Sequence, residues 1–98
     1  MEKDLSIILP SYEEAENLNE LIPKILKFLS NLNHEVLVID TQKPLDNTKE
    51  ICEREGVRCI PREKGDSFGD AVRTGIKFSK GKIIVFMDAD GSHDPEFI

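Results

Sequence analysis

Asp88-Ala89-Asp90 puts two carboxylates within three residues, directly behind five apolar residues, Ile83 to Met87. Two ionised carboxylates repel by up to about 4 kcal/mol at 4 Å in an effective dielectric near 20. A divalent cation removes that repulsion and takes both groups as oxygen ligands. The plainer reading is that the pair ends a strand and caps a turn. In a chain with eight aspartates among 98 residues, fewer than one such triplet is expected by chance. The spacing alone is therefore weak, and position must carry the argument.

Other groups offer chemistry too. Arg62-Glu63-Lys64-Gly65 precedes Ser67-Phe68-Gly69. Small residues at a helix start suit an anion, and two cations suit a diphosphate. The same residues also read as a solvated loop with an ordinary cap. Glu13, Glu14 and Glu16 near a helix start complement the helix dipole. His34 reads as a surface turn. His93 has no partner pattern, and contact with a metal or phosphate is the alternative to a turn role.

The elements that must position these groups follow from periodicity. Leu5–Leu9 is a short buried strand ended by Pro10. From Glu13 to Leu32, Leu18, Leu21, Ile22, Ile25, Leu26 and Leu29 share one helical face. Pro23 suggests that the main helix begins near Asn19, so that the proline falls near its first turn. Glu35–Asp40 is a second strand. Asn47–Glu55 is a short helix, with Asn47 and Glu50 as a capping box and Gly56 at its end. Val57–Ile60 is a third strand. Ser67–Lys80 is a helix capped by Ser67, and Lys82–Met87 is a fourth strand. Asp94-Pro95-Glu96 opens another helix.

The order β-α-β-α-β-α-β, with strands lacking polar alternation, predicts an α/β fold with a parallel sheet covered on both faces. Right-handed crossovers favour the strand order 3-2-1-4, as in the first half of a doubly wound Rossmann-like fold. Such sheets bind ligands outside the carboxyl ends of their strands. That rule gathers Pro10 to Glu14, Asp40, Arg62 to Gly65, and Asp88 with Asp90 along one edge.

Composition narrows the function. The net charge of −6 comes without a basic patch, and the chain has no Trp and one Tyr, which argues against nucleic-acid binding. No apolar run is long enough to span a bilayer, and no secretory signal is present. Cys52 and Cys59 fit no zinc or redox spacing and read as buried or reduced thiols of a cytoplasmic protein.

Four stretches carry a resemblance: Ile8 to Leu18, Val36 to Thr48, Gly65 to Gly81, and Met87 to Pro95. Together they resemble the N-terminal half of family 2 glycosyltransferases with the GT-A fold. The likeness is greatest to the polyprenol- and dolichol-phosphate mannosyl- and glucosyltransferases. The resemblance implies that Pro10, Tyr12 and Glu14 hold the nucleotide base and ribose, and that Asp40 reads the base. It puts Arg62, Gly65, Gly69 and Asp70 near the nucleotide and sugar, with Ala89 also among the substrate-binding residues. Asp88 and Asp90 become the catalytic metal pair, with Ser92 as a third metal ligand or a contact to the acceptor phosphate. Mg²⁺ or Mn²⁺ would neutralise the leaving nucleoside diphosphate. The implied acceptor is a polyprenyl phosphate, already an anion, so no strong general base is needed. Attack at the anomeric carbon with inversion is implied, as is work at the cytoplasmic face of the membrane.

The chain departs from the family pattern in two ways. The usual second acid after Asp40 is replaced by Thr41, with one extra residue before Asp46. Only the first half of a doubly wound domain is present, with the acceptor site and any base expected downstream. Residues 1–98 thus read as the truncated nucleotide-sugar-binding part of a transferase domain, expected to be inactive alone. A noncatalytic domain that binds nucleotide or a partner chain is the competing reading, and it predicts dimerisation through an exposed sheet edge. A nucleotidyltransferase would place a glycine-rich basic loop where Pro10-Ser11-Tyr12-Glu13-Glu14 stands. A receiver domain would need an acidic pair after the first strand and a phosphoacceptor where Arg62 follows Ile60-Pro61.

Overall fold

The computed structural model describes residues 2–89. Its elements are β1 (Lys3–Pro10), α1 (Ala15–Phe28), β2 (His34–Asp40), α2 (Thr48–Glu55), β3 (Arg58–Pro61), α3 (Phe68–Phe78) and β4 (Gly81–Phe86). The four strands form one parallel sheet in the order β3-β2-β1-β4, as the crossover rule predicts. Ile7 pairs with Val36 on one side and with Val85 on the other.

Alternation along the central strands divides the core in two. Ile7 and Leu9 of β1, with Val36 and Val38 of β2, pack under Leu18, Ile22 and Ile25 of α1 and Ile51 of α2. Ile8, Leu37 and Ile39 face the other way, against Ala71 of α3. Helix α3 sits so close to β1 that a Cβ on Gly75 would lie 2.6 Å from Ile8 Cγ2. At the amino ends of the strands, buried Glu35 accepts hydrogen bonds from Ser6 Oγ (2.7 Å), Arg58 Nη1 (3.1 Å) and the Lys80 amide (2.5 Å). Ser6 Oγ in turn accepts from the Gly81 amide at 2.8 Å, which fixes the start of β4.

Several local expectations shift. Helix α1 begins at Ala15, not near Asn19, so Pro23 lies inside it. Pro23 and Asn19 are both exposed. The Asn19 carbonyl that loses its helical partner can therefore take water, and the apolar face pays nothing. Asn47 makes no side-chain cap on α2. Asp46 does that work, with Oδ1 accepting from the Thr48 amide (3.1 Å) and Thr48 Oγ1 (2.7 Å). Gly56 ends α2 with φ +74°, as expected. Helix α3 stops at Phe78, and Gly81 already belongs to β4.

The fourth strand is less covered than its apolar sequence suggests. Ile83 is 62% exposed, and Lys82 and Ile84 are also exposed. The reason is position: β4 is an edge strand, and α3 packs over β1 and β2. Among the described residues no helix is long and apolar enough to cross a membrane. The helix expected from Asp94 lies outside the described residues.

Candidate functional site

The carboxyl ends of the four strands form a row set by the strand order: Arg62 after β3, Asp40 on β2, Pro10 at the end of β1 with Ser11 and Tyr12 after it, and Asp88 after β4. Three inter-strand steps of about 4.8 Å make this row about 14 Å long.

Arg62 ties one end of the row together. Arg62 is 5% exposed. Nη1 donates to the carbonyls of Asp66 (2.6 Å) and Ser67 (3.1 Å), and Nη2 donates to the Ser11 carbonyl (2.8 Å). Its amide donates to the Asp40 carbonyl at 3.0 Å. The guanidinium also lies 5.9 Å from the centre of the Tyr12 ring, within cation–π range. One buried cation thus holds the loop after β1 against the loop before α3. Arg62 Nε and the neighbouring Ser11 Oγ are both buried without a protein partner.

Asp40 is 4% exposed. Its Oδ1 accepts from the Thr41 amide at 2.8 Å. Burial pushes its carboxyl above the usual range, with Asp46 adding to the effect, while the Thr41 hydrogen bonds and Arg62 oppose it. Thr41, which stands where a second acid was expected, turns its hydroxyl to the Lys43 carbonyl at 2.6 Å and braces the turn. Tyr12 is 54% exposed, leaving ring surface available to a ligand. Pro10 ends β1, and Glu14 is the N-cap residue of α1, with its carboxylate accepting from Asn17 Nδ2 at 2.7 Å.

The loop before α3 is organised around Asp70. Its Oδ2 accepts from the Ser67 amide (3.1 Å) and Ser67 Oγ (2.7 Å), while its own amide donates to Ser67 Oγ (3.1 Å). Oδ1 accepts from Arg73 Nη2 at 2.8 Å. The Ser67 hydrogen bond, then Arg73, hold this carboxyl below the usual range. The helix start expected to receive an anion is thus already closed by a reciprocal capping box, with Ser67 as the N-cap, as expected, and Asp70 as its partner. A Cβ on Gly65 would lie 2.7 Å from Asp70 Oδ2, so a side chain there would push on the carboxylate that closes the capping box. Gly69 sits in the first turn beside Arg73. Glu13 (φ +54°) and Lys64 (φ +67°) are non-glycine residues in the left-handed region, each at a cost of about 1–2 kcal/mol. Both lie in loops that flank the row.

Asp88 is exposed at the other end, between buried Met87 and Ala89. The Met87 amide donates to the Ile8 carbonyl at 3.0 Å, so the segment that carries Asp88 is pinned to β1. Asp90 and Ser92 lie outside the described residues, as does His93. Among the described residues no cluster of three His, Cys, Asp or Glu side chains could hold a metal ion.

Sequence reading missed Asp46. Besides capping α2, its Oδ2 accepts from the Ala15 amide at 3.0 Å, joining the loop after β2 to the start of α1. The pattern Asp-x-Thr before a helix was the available signal. Beside the row, between the starts of α1 and α2, lies an open groove of about 580 Å³ lined by Glu13, Glu16, Asn19, Asp46 and Arg54 among others. Neither Asp40 nor Asp88 lines it, so it flanks the row rather than forming it.

The family model described as Glycosyl transferase family 2 matches residues 6–98. The chain is 38% identical over 97 residues to the dolichol-phosphate mannosyltransferase of Pyrococcus furiosus, covering 96% of this chain and 28% of that one. It is 33% identical over 104 residues to the dolichyl-phosphate beta-glucosyltransferase of Homo sapiens, covering 92% and 32%. Among solved structures it is similar to glucosyl-3-phosphoglycerate synthase from Mycobacterium tuberculosis in complex with Mn²⁺, uridine diphosphate and glucosyl-3-phosphoglycerate. That likeness has a TM-score of 0.81 and 26% identity, and covers 97% of this chain and 37% of that one. The chain thus spans about a third of the length of these relatives. The sheet with its three helices is a GT-A-like α/β fold, and the chain belongs to glycosyl transferase family 2.

Proposed function

We propose that residues 1–98 form the nucleotide-sugar-binding part of a hexosyltransferase. It would move a hexose from a nucleoside diphosphate sugar, GDP-mannose or UDP-glucose, to an acceptor phosphate. The observation that carries this reading is the row at the strand ends. A buried acid (Asp40) and a half-exposed aromatic ring (Tyr12) sit at the Arg62 end, and an exposed acid (Asp88) sits at the other. The Asp40 carboxylate would accept hydrogen bonds from the base, and the Tyr12 ring would offer it an apolar face. Pro10 and Glu14 would border the ribose. Arg62, Gly65, Gly69 and Asp70 would shape the loop near the sugar, Arg62 and Asp70 by holding backbone as much as by touching ligand.

Asp88 and Ala89, with Asp90 and Ser92, would meet the diphosphate. The oxygen donors of Asp88, Asp90 and Ser92 suit a hard cation, Mg²⁺ or Mn²⁺. When bound, such an ion supplies Lewis-acid neutralisation of the departing diphosphate. The names of the Pyrococcus and human relatives support a polyprenyl or dolichyl phosphate as acceptor, which would bring the protein to the cytoplasmic membrane face. The M. tuberculosis complex supports a divalent ion and a nucleotide. Calorimetric titration of the chain with GDP-mannose and UDP-glucose, with and without Mn²⁺, tests the reading. Metal-dependent binding of one donor is expected, and binding of neither by the folded chain would count against it.

One observation favours a second reading, a binding domain that assembles with another chain. Strand β4 lies at the sheet edge and exposes Ile83. A dimer by sedimentation, dispersed by Ile83→Lys, would support that reading, and a strict monomer would remove it.

A further inference from the structure

Asp40 ends β2 with its two carboxylate oxygens in different states. Oδ1 accepts from the Thr41 amide at 2.8 Å, and Thr41 Oγ1 stands 3.5 Å from the same atom. That hydroxyl sends its hydrogen to the Lys43 carbonyl at 2.6 Å, which holds the turn with its amide aimed at Oδ1. Oδ2 accepts from no described residue. Among the described residues, the side-chain polar atoms that lack a partner and are sealed from solvent are Ser11 Oγ and Arg62 Nε. Asp40 Oδ2 therefore reaches the surface along the strand-end row. A ligand there meets one carboxylate oxygen that is free and one that is already engaged.

We propose that this half-engaged carboxylate selects uracil over guanine, so that the donor is a uridine diphosphate sugar; the inference rests on Asp40 reading the base, as proposed above. Guanine presents two neighbouring donors on its pairing edge, N1–H and the N2 amino group. They match a carboxylate only when both of its oxygens are open to accept. Uracil presents one donor, N3–H, between two carbonyl oxygens, and one free oxygen satisfies it. At Asp40, guanine would leave one donor against an oxygen that the Thr41 amide already holds. A donor buried without a partner costs about tenfold or more in affinity. The half-exposed Tyr12 ring offers a face to either base, so stacking does not decide between them. The choice falls to Asp40 and to the Thr41 turn that engages half of it.

The test is calorimetric titration of the chain and of Asp40→Asn with UDP, GDP and CDP in Mn²⁺. The parent is expected to bind UDP at least about tenfold tighter than GDP. In Asp40→Asn the side-chain carbonyl stays on the Thr41 amide, and the side-chain nitrogen turns outward as a donor. That donor suits the N3 acceptor of cytosine and opposes uracil N3–H, so CDP should overtake UDP. A parent that binds GDP as tightly as UDP would overturn this inference and leave the proposed function standing. A variant that keeps the parent's order of UDP over CDP would do the same. Binding of none of the three by the folded chain would overturn both.

Discussion

Replacing Arg62 with alanine removes one side chain that holds three backbone carbonyls drawn from two loops. A hydrogen bond to a charged donor contributes about 1.5–3 kcal/mol net. The three do not simply add, because the guanidinium is desolvated and its Nε has no partner. An unsatisfied buried donor costs about 1–3 kcal/mol, which leaves an expected loss of about 2–5 kcal/mol. In a domain of this size that lowers the melting temperature by at least about 8 °C. Urea unfolding followed by circular dichroism measures the loss directly. Arg62→Lys keeps the charge but has no planar fork to bridge Ser11 with Asp66 and Ser67, so it should recover less than half of the deficit. Donor affinity should fall with stability, because Tyr12 and the Ser11 carbonyl lose their anchor. An alanine variant within about 0.5 kcal/mol of the parent, the range of ordinary surface changes, would refute this reasoning.

Three further outcomes are expected. Burial tends to raise the carboxyl of Glu35, but Ser6, the Lys80 amide and Arg58 together hold it below its ordinary 4.5. A depressed folded-state pKa contributes stability above 4.5 that is lost as pH falls through the folded value, so acid unfolding should begin below about pH 4.5 and be blunted in Glu35→Gln. Asp40 has the opposite sign. Its raised carboxyl means that ionisation opposes folding as pH rises, so Asp40→Asn should be more stable than the parent at neutral pH, as urea unfolding will measure, yet bind donor more weakly in calorimetry. Gly75→Ala would force a methyl to within 2.6 Å of Ile8 Cγ2, inside the buried α3 face. The overpacking should cost about 1–3 kcal/mol in urea unfolding.

Much of this architecture was legible because it rests on local pattern plus one chiral rule. Apolar runs at Leu5–Leu9, Glu35–Asp40 and Lys82–Met87 gave strands, and right-handed crossovers gave the order β3-β2-β1-β4. Family motifs named the residues of the row, and the strand order explains why they share an edge. What stayed hidden depends on tertiary contact. The helical moment could not show that Pro23 faces water in mid-helix. Nothing in the spacing of Arg62 reveals that its guanidinium turns inward onto three carbonyls, nor that Asp70 closes the α3 cap.

The central claim is that Asp88 and Asp90 complete a metal-dependent donor site at the end of the strand row. Its most direct test is calorimetric titration of the parent chain and of the Asp88→Asn, Asp90→Asn double variant with GDP-mannose and UDP-glucose, in Mn²⁺ and in chelator. The account predicts that the parent binds one donor in Mn²⁺ and loses that affinity in chelator. It predicts no Mn²⁺-dependent binding by the double variant, whose fold is intact by circular dichroism. Equal affinity of the parent and the double variant would contradict it.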